Sequence, residues 1–273
     1  MKKTLFFLFL NCTLIIFTGC GNIQKPAPSM NSTIKEENVS YSLDSVSMNG
    51  FVAYKDSANA KLPIVMIVHE WWGINDYVKN RAKQLAALGY FAMAVDLYGN
   101  GKTADDPDNA GKLAGPFYAN PQMAKDRFDA ALAKAKSYAA ADANKIAAIG
   151  YCFGGGMVLN FARMGEDMKG VVSFHGSLLG VPADKSKLKA EILVCHGADD
   201  KFVSEQDVKT FKHQLDSIGA NYRFVSYHGA THAFTNPNAT EKGKKYNMPI
   251  AYNAQADSAS FNEMKMFFNK IFK

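Results

Sequence analysis

Short apolar segments alternate with amphipathic segments from about Val39 to the end of the chain. The apolar segments are rich in Val, Ile, Phe and Ala and end at polar residues or glycine, which predicts buried β-strands. In chain order, the predicted strands are FVAYK, LPIVMIVHE, YFAMAVDLYG, KIAAIGY, KGVVSFHG, AEILVCHG and NYRFVSYHG.

The amphipathic segments predict helices between these strands. In NDYVKNRAKQLAALG, Val78, Ala82 and Leu85 share one helical face, and Gly89 follows as a stop signal. A loop rich in Gly, Asp and Pro separates YFAMAVDLYG from the next helix. The remaining predicted helices are PQMAKDRFDAALAKAKSYAA, GGGMVLNFARM, SEQDVKTFKHQLDSIG and QADSASFNEMKMFFNKIF. This alternation predicts one α/β domain with a mostly parallel sheet and helices on both faces.

Polar residues at the carboxyl ends of the predicted strands are the candidates for function, because ligands bind beyond these ends in open parallel sheets. They are His69, Glu70, Asp96, Cys152, His175, His196, Asp199, Asp200 and His228.

The composition is that of a globular protein, with 48% hydrophobic and 21% charged residues in a chain of 273. The formal net charge is +6, and Lys2 and Lys3 lie in a segment that we expect to be removed, which leaves +4. This charge is small and evenly spread, so we expect no nucleic-acid partner.

The N-terminus has the pattern of an export signal. Lys2 and Lys3 precede a mostly apolar run over residues 5–17, which is too short to span a bilayer with ease. The run ends in FTGC, which resembles a bacterial lipobox, although Phe17 stands where Leu is preferred. We therefore predict lipidation at Cys20, and the alternative is an ordinary cleaved signal with an incidental cysteine.

These features divide the chain into a signal peptide over residues 1–19, a lipidated tether over 20–38 and a folded domain over 39–273. The expected location is the bacterial cell envelope, at the periplasmic or outer-membrane face, with the lipid as the only membrane contact. The sequence does not define the oligomeric state, and a monomer is compatible with it.

Only Cys152 and Cys195 remain in the predicted domain, and two cysteines do not form a disulfide framework. Cys195 has no glycine turn after it and is interpreted as a core thiol.

Three motif fragments fail to predict a metal or cofactor site. HEWWG has Gly73 where a zinc-binding HExxH helix has its second His, DLYGNGKT begins at Asp96 where a phosphate loop has glycine, and GYCFGGG lacks the GxGxxG order. We therefore predict neither a metal nor an organic cofactor.

The segment GYCFG has the form G-x-C-x-G, a thiol version of the nucleophile turn G-x-S-x-G. Gly150 and Gly154 would give clearance at a tight strand-to-helix turn, and Cys152 would project from it. The N-terminus of the next helix favours a thiolate, and the backbone N–H of Phe153 is placed to stabilise negative charge.

An acid and a histidine follow Cys152 in the order nucleophile, acid, His. HGADDKFVS follows one strand and offers Asp199 and Asp200, between which the residues alone do not choose. HGATHAF follows the last strand and places His232 in a loop as the base, with His228 as the alternative.

Several long motifs occur together in the order of one known family. They are HEWWGINDY, VDLYGNGKTADDP, IAAIGYCFGGG, VVSFHG, HGADDKFV, GATHAFTNP and AYNAQAD. From about residue 39 to 273 the chain resembles the dienelactone hydrolase family, which implies the α/β-hydrolase fold, with a mostly parallel central sheet and helices on both faces.

The resemblance implies further roles. It selects Asp200 as the acid of the triad and implies that Glu70 contacts the resting thiol and controls its ionisation. It implies that the backbone N–H groups of Trp71 and Phe153 form the oxyanion hole. Trp72 is expected at the pocket wall, and Asn236 stands where characterised members have an arginine that grips the substrate carboxylate.

The expected function is hydrolysis of a small carboxylic ester or lactone through a Cys–His–Asp triad and a thioester acyl-enzyme. One alternative is a non-catalytic ligand-binding lipoprotein that keeps the hydrolase fold. The other is a thiol redox protein that uses Cys152 and Cys195. The sequence does not define the natural substrate.

Overall fold

The computed structural model describes Met1 and residues 33–56 and 60–273. The predicted signal peptide beyond Met1, Cys20 and the tether as far as residue 32 lie outside the described residues. None of the helices in the described ranges is long and apolar enough to cross a membrane.

Strands and helices alternate along the described chain. The strands are β1 (Ile34–Leu43), β2 (Val46–Lys55), β3 (Leu62–Val68), β4 (Phe91–Val95), β5 (Ala141–Tyr151), β6 (Gly170–Phe174), β7 (Glu191–Gly197) and β8 (Tyr222–Tyr227). The helices are α1 (Asp76–Ala87), α2 (Pro107–Ala119), α3 (Pro121–Lys136), α4 (Phe153–Arg163), α5 (Glu205–Ser217), α6 (Ala239–Tyr246) and α7 (Ala254–Ile271).

The strands form one sheet in the order β1-β2-β4-β3-β5-β6-β7-β8. β1 pairs antiparallel with β2, and β2 pairs antiparallel with β4, while the remaining neighbours are parallel. The predicted mostly parallel sheet is therefore confirmed.

β1 extends the sheet beyond the predicted domain boundary. It pairs with β2 from Ile34 onward, so residues 34–38 belong to the sheet and not to the tether. Most residues of this edge strand are exposed, because only one of its sides pairs with a neighbour. An edge strand of this kind contains mostly polar residues and lacks the apolar run that marks the central strands.

Helix α2 lies where the sequence predicts only a loop. Asp106 caps it by accepting a hydrogen bond from the backbone N–H of Asn109 at 2.9 Å, and Pro107 occupies the first turn. Glycine and proline inside the helix, including Pro116, obscure its periodicity. Its buried residues, among them Ala114 and Phe117, anchor it against the core.

The sheet has an apolar core on each face. Along β3, Ile64 and Met66 pack on the face that α3, α4 and α5 cover, and Val65 and Ile67 pack on the face that α1 and α7 cover. Parallel strands covered on both faces expose their carboxyl ends at one edge. The ends of β3, β5, β7 and β8 thus lie at the edge where the candidate residues are found.

Candidate active site

Cys152 stands at the turn between β5 and α4 with a φ of 52° and a ψ of −114°. A non-glycine residue with positive φ is strained and persists only where its surroundings fix it. A β-carbon added to Gly150 would overlap the carbonyl of Gly154, and one added to Gly154 would overlap the carbonyl oxygen of Val68. Both glycines therefore provide the clearance that the sequence predicts.

Hydrogen bonds below the turn hold the nucleophile's backbone. The N–H of Cys152 donates to the carbonyl oxygen of Phe174 at 3.0 Å and to Nδ1 of His175 at 3.1 Å. Nε2 of His175 lies 2.7 Å from the Thr235 hydroxyl, which is 2.6 Å from the hydroxyl of Tyr77.

The state of His175 follows from these contacts. Burial lowers the pKa of this fully buried ring well below its ordinary value, so His175 is neutral. Because its Nδ1 accepts a hydrogen bond, its proton is on Nε2 and points to Thr235. Thr235 is three residues after His232, so a buried chain of hydrogen bonds links the turn of Cys152 to the loop of the candidate base. Sequence reasoning selected His175 only as a polar strand end and missed Thr235 and Tyr77.

The structure brings His232 and Asp200 together. Nδ1 of His232 donates to Oδ2 of Asp200 at 2.8 Å, and the other oxygen of this carboxylate accepts the N–H of Phe202 at 2.8 Å. Asp200 is only 6% exposed, whereas Asp199 and His228 are exposed to solvent. Asp199 and His228 are therefore not part of this arrangement.

The environment of His232 favours its charged form. Burial lowers the pKa of His232, but its electrostatic interactions and hydrogen bonds with Cys152 and Asp200 outweigh burial and raise the pKa to about 10. At neutral pH His232 is therefore an imidazolium that is hydrogen-bonded to Asp200. Cys152 and His232 thus line the same cavity, and Asp200 is hydrogen-bonded to His232.

Glu70 and Asn236 form a buried pair beside these residues. Nδ2 of Asn236 donates to Oε2 of Glu70 at 2.6 Å, and the two residues are 3% and 1% exposed, respectively. Burial raises the pKa of Glu70, against the opposing effects of Asn236 and Lys242. Among the described residues no hydrogen bond joins Glu70 to the thiol, so its predicted control of Cys152 stays a prediction. Asn236 lies behind Glu70 and does not line the cavity.

Two backbone N–H groups are candidates for the predicted oxyanion hole. Those of Trp71 and Phe153 have no hydrogen-bond acceptor within residues 33–56 and 60–273, whereas the next one, from Gly154, donates to the carbonyl oxygen of His69 at 3.1 Å. Phe153 begins α4, so the partial positive charge of the helix N-terminus acts at the same place.

A cavity of about 390 Å³ opens above the thiol. Glu70, Cys152 and His232 line it, and Trp72 forms part of the wall. Most of the remaining wall is apolar. It includes Trp71, Phe202, Val203, Met248 and Ile250.

One side of the cavity is formed by α2, which sequence reasoning missed. Gly111, Ala114, Gly115 and Tyr118 line it at intervals of three and four residues, so they share one helical face. The small residues leave space, and half of the Tyr118 side chain is exposed at the rim.

Cys195 lies away from this cavity. It is fully buried in β7, its sulfur accepts a long hydrogen bond of 3.7 Å from the hydroxyl of Tyr227, and both it and Cys152 are free thiols. Burial raises the pKa of Cys195 to about 12, which makes it unreactive at neutral pH.

Comparison with known proteins identifies the family of the chain. The model of the dienelactone hydrolase family matches residues 48–272, which is most of the chain. The chain belongs to the dienelactone hydrolase family. One relative in this family, named "Putative carboxymethylenebutenolidase", from Aquifex aeolicus, is 28% identical over 203 residues, which cover 72% of this chain and 86% of the relative.

Solved structures extend the likeness to the whole described domain of this dienelactone hydrolase family member. A dienelactone hydrolase-like promiscuous phosphotriesterase from metagenomic libraries is 29% identical, with a TM-score of 0.81, and 87% of this chain and 98% of that chain are covered. An alpha/beta hydrolase enzyme from a deep-sea metagenome shares the fold at 17% identity and a TM-score of 0.64, covering 86% of this chain and 98% of that one. The protein has the α/β-hydrolase fold and is a hydrolase.

Proposed function

We propose that this protein hydrolyses carboxylic esters or lactones with Cys152 as the nucleophile, His232 as the acid and base, and Asp200 as the orienting acid. The observation that supports this most directly is a cysteine on a strained turn at the floor of a cavity, beside a histidine that is paired with a buried aspartate. Membership of the dienelactone hydrolase family supports the same class of reaction.

In the acylation step, the Cys152 thiolate attacks the carbonyl carbon of the ester. The carbonyl oxygen becomes an oxyanion that accepts hydrogen bonds from the backbone N–H groups of Trp71 and Phe153. When the tetrahedral intermediate collapses, the bond to the alcohol oxygen breaks, and His232 gives its proton to that oxygen. A thioester remains on Cys152, and His232 is left neutral.

Acylation itself prepares His232 for the second step. The thiolate charge is a main cause of the raised pKa of His232, and the thioester has no such charge. The acyl-enzyme therefore favours a neutral imidazole, which takes a proton from water while the water oxygen attacks the thioester. The carbon–sulfur bond then breaks, the acid leaves, and the thiolate and imidazolium form again.

The test compares the purified domain with Cys152→Ala on p-nitrophenyl acetate. We expect turnover by the wild type, a loss of about 10⁴-fold in kcat/KM in the variant, and an acyl adduct on Cys152 by mass spectrometry. Equal inactivity of both proteins across acyl lengths, with a Cys152 thiol that resists iodoacetamide at neutral pH, would overturn the mechanism. Tight retention of an ester without turnover would indicate the non-catalytic binding alternative.

We also propose that the chain is exported and anchored to the cell envelope through a lipid on Cys20. The support is the basic, apolar and FTGC pattern of its first twenty residues. Metabolic labelling with a radioactive fatty acid tests this: wild type is expected to take up label and Cys20→Ser is not. Equal labelling of both would contradict it.

A further inference from the structure

The ionisable groups on the wall of the cavity include no permanent cation. They are Glu70, Tyr118, Cys152 and His232, and no lysine or arginine lines the cavity in the described part of the chain. The positive charge of His232 is already paired with the Asp200 carboxylate at 2.8 Å. The wall therefore offers no free positive charge to an acidic group of a substrate.

A buried carboxylate without a partner costs several kcal/mol of desolvation. In this cavity it would also approach Glu70, and two neighbouring carboxyl groups oppose each other's ionisation. Neutral apolar groups meet no such penalty and gain free energy by covering the rings of Trp71 and Phe202.

Lys242 is a cation that contacts a residue of the cavity wall. Its ammonium lies 3.6 Å from the centre of the Trp72 ring, and it interacts electrostatically with Glu70 and Asp105. Lys242 does not itself line the cavity. A cation–π contact and two acidic neighbours already satisfy this charge.

We propose that the enzyme selects esters whose group inside the cavity is uncharged and apolar, and that this group lies along the small-residue face of α2. The inference rests on the proposed function. A volume of about 390 Å³ is enough for such a group. A β-carbon added to Gly111 or Gly115 would meet no atom within 4 Å, so this face has room for the substrate.

The first experiment compares two aryl esters of matched length, p-nitrophenyl butyrate and mono-p-nitrophenyl succinate, which differ in a terminal carboxylate. We expect kcat/KM of the wild type to be about 100-fold higher for the neutral ester. Equal values, or a preference for the charged ester, would overturn the inference while leaving the proposed function intact. Turnover of neither ester would overturn both.

The second experiment adds a charge to the open side of the cavity. Gly111→Arg is expected to raise kcat/KM for the succinate ester about tenfold over the matched variant Gly111→Gln. Equal rates for the two variants would contradict the proposed position of the substrate group.

The third experiment tests Lys242. Lys242→Met is expected to leave the preference between the two esters unchanged. A selective loss of succinate hydrolysis would show that Lys242 binds anions and would overturn the inference.

Discussion

The nucleophile turn and the α2 wall face the same cavity but tolerate change differently. At the turn, a single added carbon on Gly150 or Gly154 would overlap a backbone carbonyl group. On α2, the same carbon on Gly111 or Gly115 would meet open space. In the proposed mechanism, the chemistry therefore depends on tightly packed backbone, whereas the selection of substrates depends on a helix face with room for other side chains.

This difference suggests how the hydrolase can change its substrate and keep its reaction. Hydrogen bonds join the turn of Cys152 through His175 to Thr235, which lies in the same loop as His232, and His232 is in turn hydrogen-bonded to Asp200. A residue on the exposed face of α2 has few neighbours to displace. The predictions below test whether the two regions separate in this way.

The largest effect is expected within the catalytic group. Asp200→Asn removes the charge that orients His232 and should lower kcat about 10³-fold. The neighbouring Asp199→Asn alters an exposed carboxylate and should change kcat less than twofold. Steady-state hydrolysis of p-nitrophenyl butyrate measures both, and a similar loss in the two variants would contradict the assignment of the acid.

Replacing glycine by alanine is expected to change the stability of the protein differently in the two regions. Gly154→Ala forces a β-carbon against the carbonyl oxygen of Val68 and is expected to reduce the free energy of unfolding by about 3 kcal/mol. Gly111→Ala adds a carbon in open space inside a helix and is expected to raise it by about 0.5 kcal/mol. Urea unfolding of both variants measures these changes. Equal changes in the free energy of unfolding would show that the turn can accommodate an added carbon.

A smaller effect is expected below the turn. Thr235→Val leaves the Nε2–H of His175 and the Tyr77 hydroxyl without their shared partner, and should lower kcat about tenfold with KM unchanged. Thr235→Ser keeps the hydroxyl and should restore most of kcat. If the Thr235→Val variant is as active as the Thr235→Ser variant, the chain of hydrogen bonds does not position the nucleophile.

The smallest effect on the rate at neutral pH is expected from the ionisation of His232. Its imidazolium must donate a proton in acylation, so a pKa of about 10 predicts that acylation rates stay level near pH 8 and fall as pH rises through about 10. In Cys152→Ala the thiolate no longer raises this pKa, so His232 should titrate at a lower pH. NMR titration of the ring measures the shift, and an unchanged value would contradict the ion pair.

Local patterns were sufficient to predict the central strands of the sheet and the turn at Cys152, but not the edge strand β1. The spacing of Gly150, Cys152 and Gly154 determines a turn within five residues, and apolar runs mark the central strands. Asp199 and Asp200 could not be distinguished in this way, because both follow the same strand. The family resemblance selects Asp200, and the fold separates the two aspartates by exposing Asp199 and pairing Asp200 with His232.

Apart from Trp72, the cavity wall could not be predicted, because it is formed by segments far apart in sequence. α2 contains residues that normally interrupt helices, and its tertiary contacts, through Ala114 and Phe117, offset their low propensity. Met248 and Ile250 line the same cavity but come from a segment much closer to the C-terminus of the chain. The role of His175 likewise depends on Thr235, whose position next to it is a result of folding.

The burial of Cys195 makes the two thiols of the described domain distinguishable by reagent. An electrophilic fluorescent probe should attach once to each folded molecule, at Cys152, and its stoichiometry would count competent active sites in a preparation. A second label would appear only after the sheet has opened. One alkylation assay can therefore report both the concentration of active enzyme and the loss of native structure.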